Sequence, residues 1–470
     1  MLAQSVILVP LAGIAALVLA WRGLDARERR FVSWAWLAHV AATFGLVVYH
    51  EYIFMGGDMD LYTGYGRDVA RLMRFDLARY APEALNLTLQ RETVFPFSVL
   101  LEGTSTASMM GLTSFAMLLF GDSIFAVCLV FSFFAFLGSV SMYKAVRFKL
   151  TAVERVPVLI GVLLVPSVVF WSSGIVKEAV VLGGLGTVLK AISDTLVRRR
   201  MLAIVTMAPS VALIALIKPY VFVPLVLGFG AWFYAGRGQK LSLGYKLLGI
   251  AIAAAGMMVV AAQFPAYSFD RVGETIAHTQ QNFVQANQGA GSGIQIGDVD
   301  TAAEEQTLAR SLKWAPLGLL NALARPMLFD IRNVTLAIAA LEMTALIWAV
   351  LSLLRRHGVR RVIREISSEP PFLFSAVFVL ALGISVGLAT GNLGTLSRYR
   401  VPMMPMYVAT VLALRARLDG RLKQRAGSAN VPTNVPAKPA LAPVRRARLT
   451  KEELIKLARR TSSVERSRFW

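Results

Sequence analysis

Apolar runs of about 16 to 24 residues recur along most of the chain, separated by short polar or basic stretches. About 20 helical residues cross a hydrocarbon core of about 30 Å, so the pattern predicts an all-α polytopic integral membrane protein. A membrane β-barrel would alternate apolar and polar residues instead. The expected spans are 2–21, 31–49, 122–143, 156–172, 178–193, 202–217, 220–235, 246–264, 333–354, 371–389 and 401–415, about eleven transmembrane helices in all. The run 94–120 is apolar enough to enter a membrane, but it carries Glu102, Gly103, Thr104, Ser105 and Thr106 near its middle. A single crossing there would invert every later loop, so a re-entrant or interfacial hairpin with even parity is expected.

Charge gives the expected orientation. The first run is followed by Arg22, Arg27, Arg29 and Arg30 and preceded by no base, which places the N-terminus outside. Because the charged stretch follows the apolar one, and no A-x-A-like site is present, the run is expected as a helix and not as a signal peptide. Later clusters, Lys144 to Arg155, Arg198 to Arg200, Arg237 to Lys246 and Arg355 to Arg364, fall on alternate connections and are assigned to the cytoplasm together with the C-terminus. The long segments 50–121 and 265–332 then face outside, the first carrying a surface helix.

Composition agrees with a membrane solvent: the chain is 56% hydrophobic and 16% charged. The formal net charge of +21 sits mainly in short loops and the tail, a topology signal that argues against a nucleic-acid partner. Cys128 is the single cysteine and forms no intrachain disulfide. Residues 1–416 read as a transmembrane domain and 417–470 as a basic flexible cytoplasmic tail. The tail contains AGSANVPTNVPAKPALAPVRR and a short helix at 450–460, with Thr450 as N-cap and Glu453 at the capping-box position. Anionic lipids of the inner leaflet are the expected partner of this tail, with a protein partner as the alternative. No P-loop, GxSxG elbow or metal-spaced Cys/His cluster occurs.

Candidate chemistry gathers on the expected outer side. In HEYIFMGGDMDLYTGYGRDV, Gly56 and Gly57 permit a tight turn before Asp58 and Asp60, and Leu61, Tyr65, Val69 and Leu72 mark one helix face. Two carboxylates so spaced suit a general base, or a shared divalent cation such as Mg or Mn; Asp60 as a plain helix cap is the alternative. Glu51, Tyr62 and Asp68 are weaker candidates in the same segment. Lys177 and Glu178 open the fifth helix, where Lys177 suits a phosphate and a local Lys/Glu pair is the alternative. The 265–332 segment offers His278, a cluster of Gly289, Gly291, Ser292 and Gly293, and Arg325 and Arg332 at the entry to the ninth helix. In SRYRVPMMPMYV, Arg398 and Arg400 flank Tyr399 and suit a phosphate or diphosphate through guanidinium forks.

The acidic GDMD turn with its following helix, the LFGDSIFAVCLVFSFFAFLGSVSMYKAVR helix and the closing SRYRVPMMPMYV resemble the polyprenyl-phosphate-sugar-dependent membrane glycosyltransferases of the GT-C superfamily, over the helical core to residue 416. The resemblance implies a bacterial cytoplasmic (inner) membrane enzyme of envelope polysaccharide assembly. It would take a polyprenyl-linked sugar donor and a glycan or lipid-linked acceptor, and work beside other polysaccharide-assembly proteins. By that resemblance Asp58 or Asp60 serves as base or metal ligand, and Arg398 or Arg400 holds the lipid-linked phosphate. The acidic turn here follows the second helix instead of the first, and the architecture also resembles the O-antigen polymerase and ligase group. On that reading Arg325, Arg332, Arg398 and Arg400 carry two diphosphates. A flippase or transporter of lipid-linked saccharide is the non-enzymatic alternative, although few ionisable groups other than Glu342 sit within the expected spans.

Overall fold

The computed structural model describes residues 2–54, 56–198, 202–236, 272–286 and 308–429. Among the described residues the structure is built from helices, without a β-strand. In chain order they are α1 (Leu2–Trp21), α2 (Ala26–Tyr49), α3 (Asp58–Phe75), α4 (Leu77–Thr88), α5 (Ser105–Phe120), α6 (Ile124–Val146), α7 (Ala152–Leu163), α8 (Pro166–Trp171), α9 (Lys177–Arg198), α10 (Ala203–Ile217) and α11 (Phe222–Gly236). There follow α12 (Val272–Ala286), α13 (Leu308–Leu312), α14 (Ala315–Ala324), α15 (Val334–His357), α16 (Val359–Ser368), α17 (Pro370–Ala389), α18 (Leu393–Tyr399) and α19 (Met404–Ala429). The expected span 246–264, the Gly289 to Gly293 cluster and the tail helix 450–460 lie outside the described residues.

Four helices among the described residues are long and apolar enough to cross a membrane: Ala26–Ile53, Ile124–Lys149, Val334–His357 and Pro370–Ala389. They mark the chain as an all-α membrane protein. Local sequence explains where helices start. Asp25 and Glu28 form a capping box at α2, Thr151 and Glu154 another at α7, and Asn333 caps α15. Close helix approach follows from small residues: a Cβ on Gly186 of α9 would lie 1.8 Å from the Gly138 carbonyl oxygen of α6.

Side-chain contacts define two ends of the helical unit. At one, here called the Arg417 end, Glu28 at the start of α2 meets Arg147 after α6, and Glu154 at the start of α7 meets Arg417 of α19. The other, the Asp58 end, gathers the start of α3, the start of α9 and α18. The start of α5 lies there as well. Lys177 at the start of α9 bonds Ser105, and the Phe120 carbonyl accepts a hydrogen bond from Ser5 near the start of α1. The region expected as a hairpin within 94–120 contains one helix, α5, over Ser105–Phe120.

Four further departures have physical causes. The expected span 156–172 is two helices, because Pro166 forces Val165 into an extended conformation (φ −71°, ψ 116°) and breaks α7 from α8. Segments 265–332 and 391–400, expected as loops, contain α12 to α14 and α18. The closing span 401–415 starts at Met404 and continues past its expected end, where Arg417 and Asp419 find partners. On α3 the buried face is Met59, Tyr62, Gly66, Val69 and Met73, so of the expected face only Val69 is fully buried. Gly66 decides this: a Cβ there would sit 2.8 Å from Thr113 Cγ2, and its absence lets α5 pack against that side.

Candidate active site

Two glycines set the acidic turn. Gly56 and Gly57 adopt φ of 147° and 102°, backbone that side-chain-bearing residues rarely take, and α3 starts immediately after them. Asp58 and Asp60 therefore occupy the first helical turn, where the N-terminal peptide dipoles favour negative charge. Neither caps the helix through its side chain; Gly57 is the N-cap.

Opposite Asp58, the short helix α18 is held by Asn392, whose side-chain oxygen accepts from Gly394 and Thr395 amides. Its last turn carries Arg398. The guanidinium lies 3.0 Å from Asp58 through Nη2 and 2.9 Å from Glu178 through Nε. Glu178 is fully buried and accepts a 2.7 Å hydrogen bond from the ammonium of Lys218, at the end of α10. Lys218 in turn stands over the rings of Tyr399 (4.5 Å) and Tyr220 (5.8 Å). Buried charges survive only when compensated, and here carboxylates and cations alternate from Asp58 inward to Lys218. Asp58, with 52% of its side chain exposed, is where this chain reaches the surface. Burial works against charge on Arg398, but Glu178 and Asp58 more than reverse it, and its pKa lies above the ordinary value.

Lys177 is different. Its ammonium donates to Ser105 Oγ at 2.9 Å and Thr106 Oγ1 at 3.2 Å, at the start of α5, and among the described residues it makes no ion pair. The fields of Asp58, Lys218, Glu178 and Arg398 all reach it. The hydroxyl of Tyr62, wholly buried, stands beside Thr106 and among the described residues completes no well-aligned hydrogen bond. Burial, followed by the charge of Asp58, raises the Tyr62 pKa, so the phenol stays protonated and available as a donor. Asp60 is exposed, makes no ion pair among the described residues, and exerts its charge on buried His50.

The structure thus brings together Asp58, Tyr62, Lys177, Glu178, Arg398 and Tyr399, with Asp60 alongside. It does not bring Arg398 and Arg400 onto one face. Two residues apart at a helical turn, they diverge, and the pair expected to share one phosphate or diphosphate is not formed. Arg400 is fully buried, donates from Nη1 to the Arg325 carbonyl at 2.5 Å, and among the described residues leaves Nε and Nη2 unpaired. Arg325 itself is engaged by Asp330 at 2.5 Å, a hydrogen bond that, with the Met327 amide, holds the Asp330 carboxyl below its usual range. Arg332, Glu51 and Asp68 are exposed, Asp68 pairing with Arg71 at 3.4 Å, and His278 pairs at 3.6 Å with Glu274 on the same helix. The local Lys177/Glu178 pair is also not formed, since adjacent helical residues point apart and each finds other partners.

Sequence reasoning passed over Lys218, Ser105, Thr106 and His50 as site residues. Lys218 had a signal: it is the lone charge in the apolar stretch IALIKPYVF. The hydroxyls had none, because nothing local to 105–106 announces Lys177. A divalent cation does not fit the residues present. Among the described residues no three His, Cys, Asp or Glu side chains converge, and Asp58 already faces a guanidinium. Compared with protein-family models, curated proteins and solved structures, the chain matches none.

Proposed function

We propose that this protein is a membrane glycosyltransferase that transfers a sugar from a lipid-linked (polyprenyl phosphate) donor to a glycan acceptor at its Asp58 end. In this reading the chain crosses a bacterial cytoplasmic membrane about eleven times, with its N-terminus and the Asp58 end outside and its C-terminus inside, as the basic connections require. One observation carries the proposal. Lys177, an ammonium with only hydroxyl partners among the described residues, stands within the field of the Asp58 carboxylate, where a phosphate and an acceptor hydroxyl meet in such a reaction.

Lys177, with Ser105, Thr106 and Tyr62, holds the donor phosphate as a cluster of hydrogen-bond donors at the N-termini of α5 and α9. The acceptor oxygen attacks the anomeric carbon, the bond from that carbon to the phosphate oxygen breaks, and the electron pair leaves on the lipid phosphate. Asp60, exposed and outside any ion pair among the described residues, takes the acceptor proton. Arg398, fixed by Glu178, orients Asp58 at the edge of the site. Positioning and charge stabilisation are the work such a reaction asks of the protein, since the lipid phosphate is already a good leaving group.

The test is transfer of labelled sugar from a polyprenyl-phosphate donor by the reconstituted full chain, with Asp60→Asn and Lys177→Met alongside. Loss of transfer in Asp60→Asn and weakened donor use in Lys177→Met, with membrane insertion intact, are expected. A wild-type chain that instead moves the intact lipid-linked sugar across vesicles without chemistry overturns the reading. Shortened glycan chains in a deletion strain, with single repeat units retained, would replace it by a polymerase.

A further inference from the structure

The Arg417 end contains a cavity of about 110 Å³ between α15 and α19, lined by Trp348, Ser352, Leu353, Arg356, His357 and Arg415. That volume exceeds the roughly 30 Å³ share of a single water and admits a phosphate-sized group. Arg415 lies over the Trp348 ring at 5.6 Å. Asp419 is the carboxylate of the cluster, 3.3 Å from Arg356, 2.9 Å from His357 Nε2 and 3.9 Å from Arg415. One carboxylate faces two guanidiniums, so the lining keeps an excess of positive charge. The His357 side chain is wholly buried, and among the described residues its Nδ1 makes no hydrogen bond. Asp419 occupies Nε2, which leaves Nδ1 to a hydroxyl, a group that can donate to or accept from a ring nitrogen.

The surroundings point to the source of such a ligand. Helix α15 is one of those long and apolar enough to cross a membrane, and the cavity lies at its last turns. Trp348 and Leu351 are exposed on α15 just before it. Directly after it, α16 leaves Val359 and Ile363 exposed beside Arg360 and Arg364, the make-up of a helix lying in a membrane interface. We infer that this cavity binds the headgroup of an anionic glycerophospholipid that carries a free hydroxyl. Arg356 and Arg415 take the phosphodiester, His357 Nδ1 takes the hydroxyl, and the acyl chains run along Trp348 and Leu351. The proposal is independent of the proposed transfer reaction.

Native mass spectrometry of the full chain, released from mixed micelles of phosphatidylglycerol and phosphatidylcholine, tests this. Wild type is expected to retain phosphatidylglycerol preferentially. The preference should fall roughly thirtyfold in Arg356→Gln/Arg415→Gln, two basic contacts' worth. Ser352→Leu, which fills the cavity without removing charge, should lose the same preference and covers the case in which the double variant does not fold. Millimolar inorganic phosphate should leave the bound lipid in place. Unchanged preference in either folded variant overturns the proposal, as does displacement of the lipid by inorganic phosphate, which would make this a site for a free anion.

Discussion

Both ends of the helical unit bury charged side chains, but they satisfy them to different degrees. At the Arg417 end Glu28 accepts from Tyr143 at 2.5 Å, Arg147 at 2.7 Å and the Asp25 amide at 2.9 Å, while Glu154 takes the Thr151 amide and Arg417. At the Asp58 end the contacts are equally short and less complete. Arg398 Nε and Glu178 Oε2 approach to 2.9 Å without hydrogen-bond alignment, and among the described residues the Tyr62 hydroxyl beside Thr106 completes no well-aligned hydrogen bond. Buried polar groups left short of partners cost about 1–3 kcal/mol each, a cost that structural sites avoid and functional sites tolerate. Among the described residues the exceptions at the Arg417 end are Arg155 Nε and His357 Nδ1, and His357 lines the cavity between α15 and α19. Incomplete satisfaction, more than charge itself, separates the candidate sites from the struts.

Substitutions at the two ends should separate accordingly. Asp60→Asn is expected to lower sugar transfer by roughly 10²–10⁴-fold, the usual worth of a general base, with an unchanged thermal midpoint; full activity would remove Asp60 from the mechanism. Arg417→Met should do the reverse. It leaves Glu154 buried without its guanidinium and costs about 3–5 kcal/mol of stability, read by thermal unfolding in detergent, while turnover per folded molecule stays constant. Lys177→Met should weaken donor use roughly tenfold to a hundredfold through KM with little loss of stability, since Ser105 and Thr106 can bond water in its place. A loss of stability in Lys177→Met matching that of Arg417→Met, with turnover intact, would erase the contrast between the ends.

The smallest effect concerns pH. Asp330 is held below its usual range by Arg325, so its stabilising contribution is fully present above the ordinary aspartate value of about 4 and is lost as pH falls through its lower folded value. The stability gap between wild type and Asp330→Asn should stay level from pH 8 to about 5 and close only in stronger acid. A gap that shrinks near neutral pH would show that the pair does not hold in the folded protein.

The helical, membrane-embedded class was legible because length and apolarity of a segment are local properties, and a hydrocarbon core acts on each segment alone. The acidic turn was legible for a similar reason, since Gly56 and Gly57 announce their own backbone conformation. The partners of Arg398 were not. A guanidinium before an apolar run looks the same whether it faces phosphate, carboxylate or carbonyl, and Glu178 lies 220 positions away in the chain from it. The same holds for Lys177: its neighbours at 105 and 106 belong to a helix that the sequence presented as an uncertain hairpin.

By itself the sequence determined where the long apolar helices form, which connections carry base, and which carboxylates follow the Gly56–Gly57 turn. Tertiary structure decided that Asp58 and Glu178 share one arginine, that Arg398 and Arg400 part company, and that Lys177 is left with hydroxyl partners among the described residues. Helix formation is governed by bonds within a few residues and by solvent, whereas ion-pair choice depends on which helix ends packing brings within about 4 Å of one another.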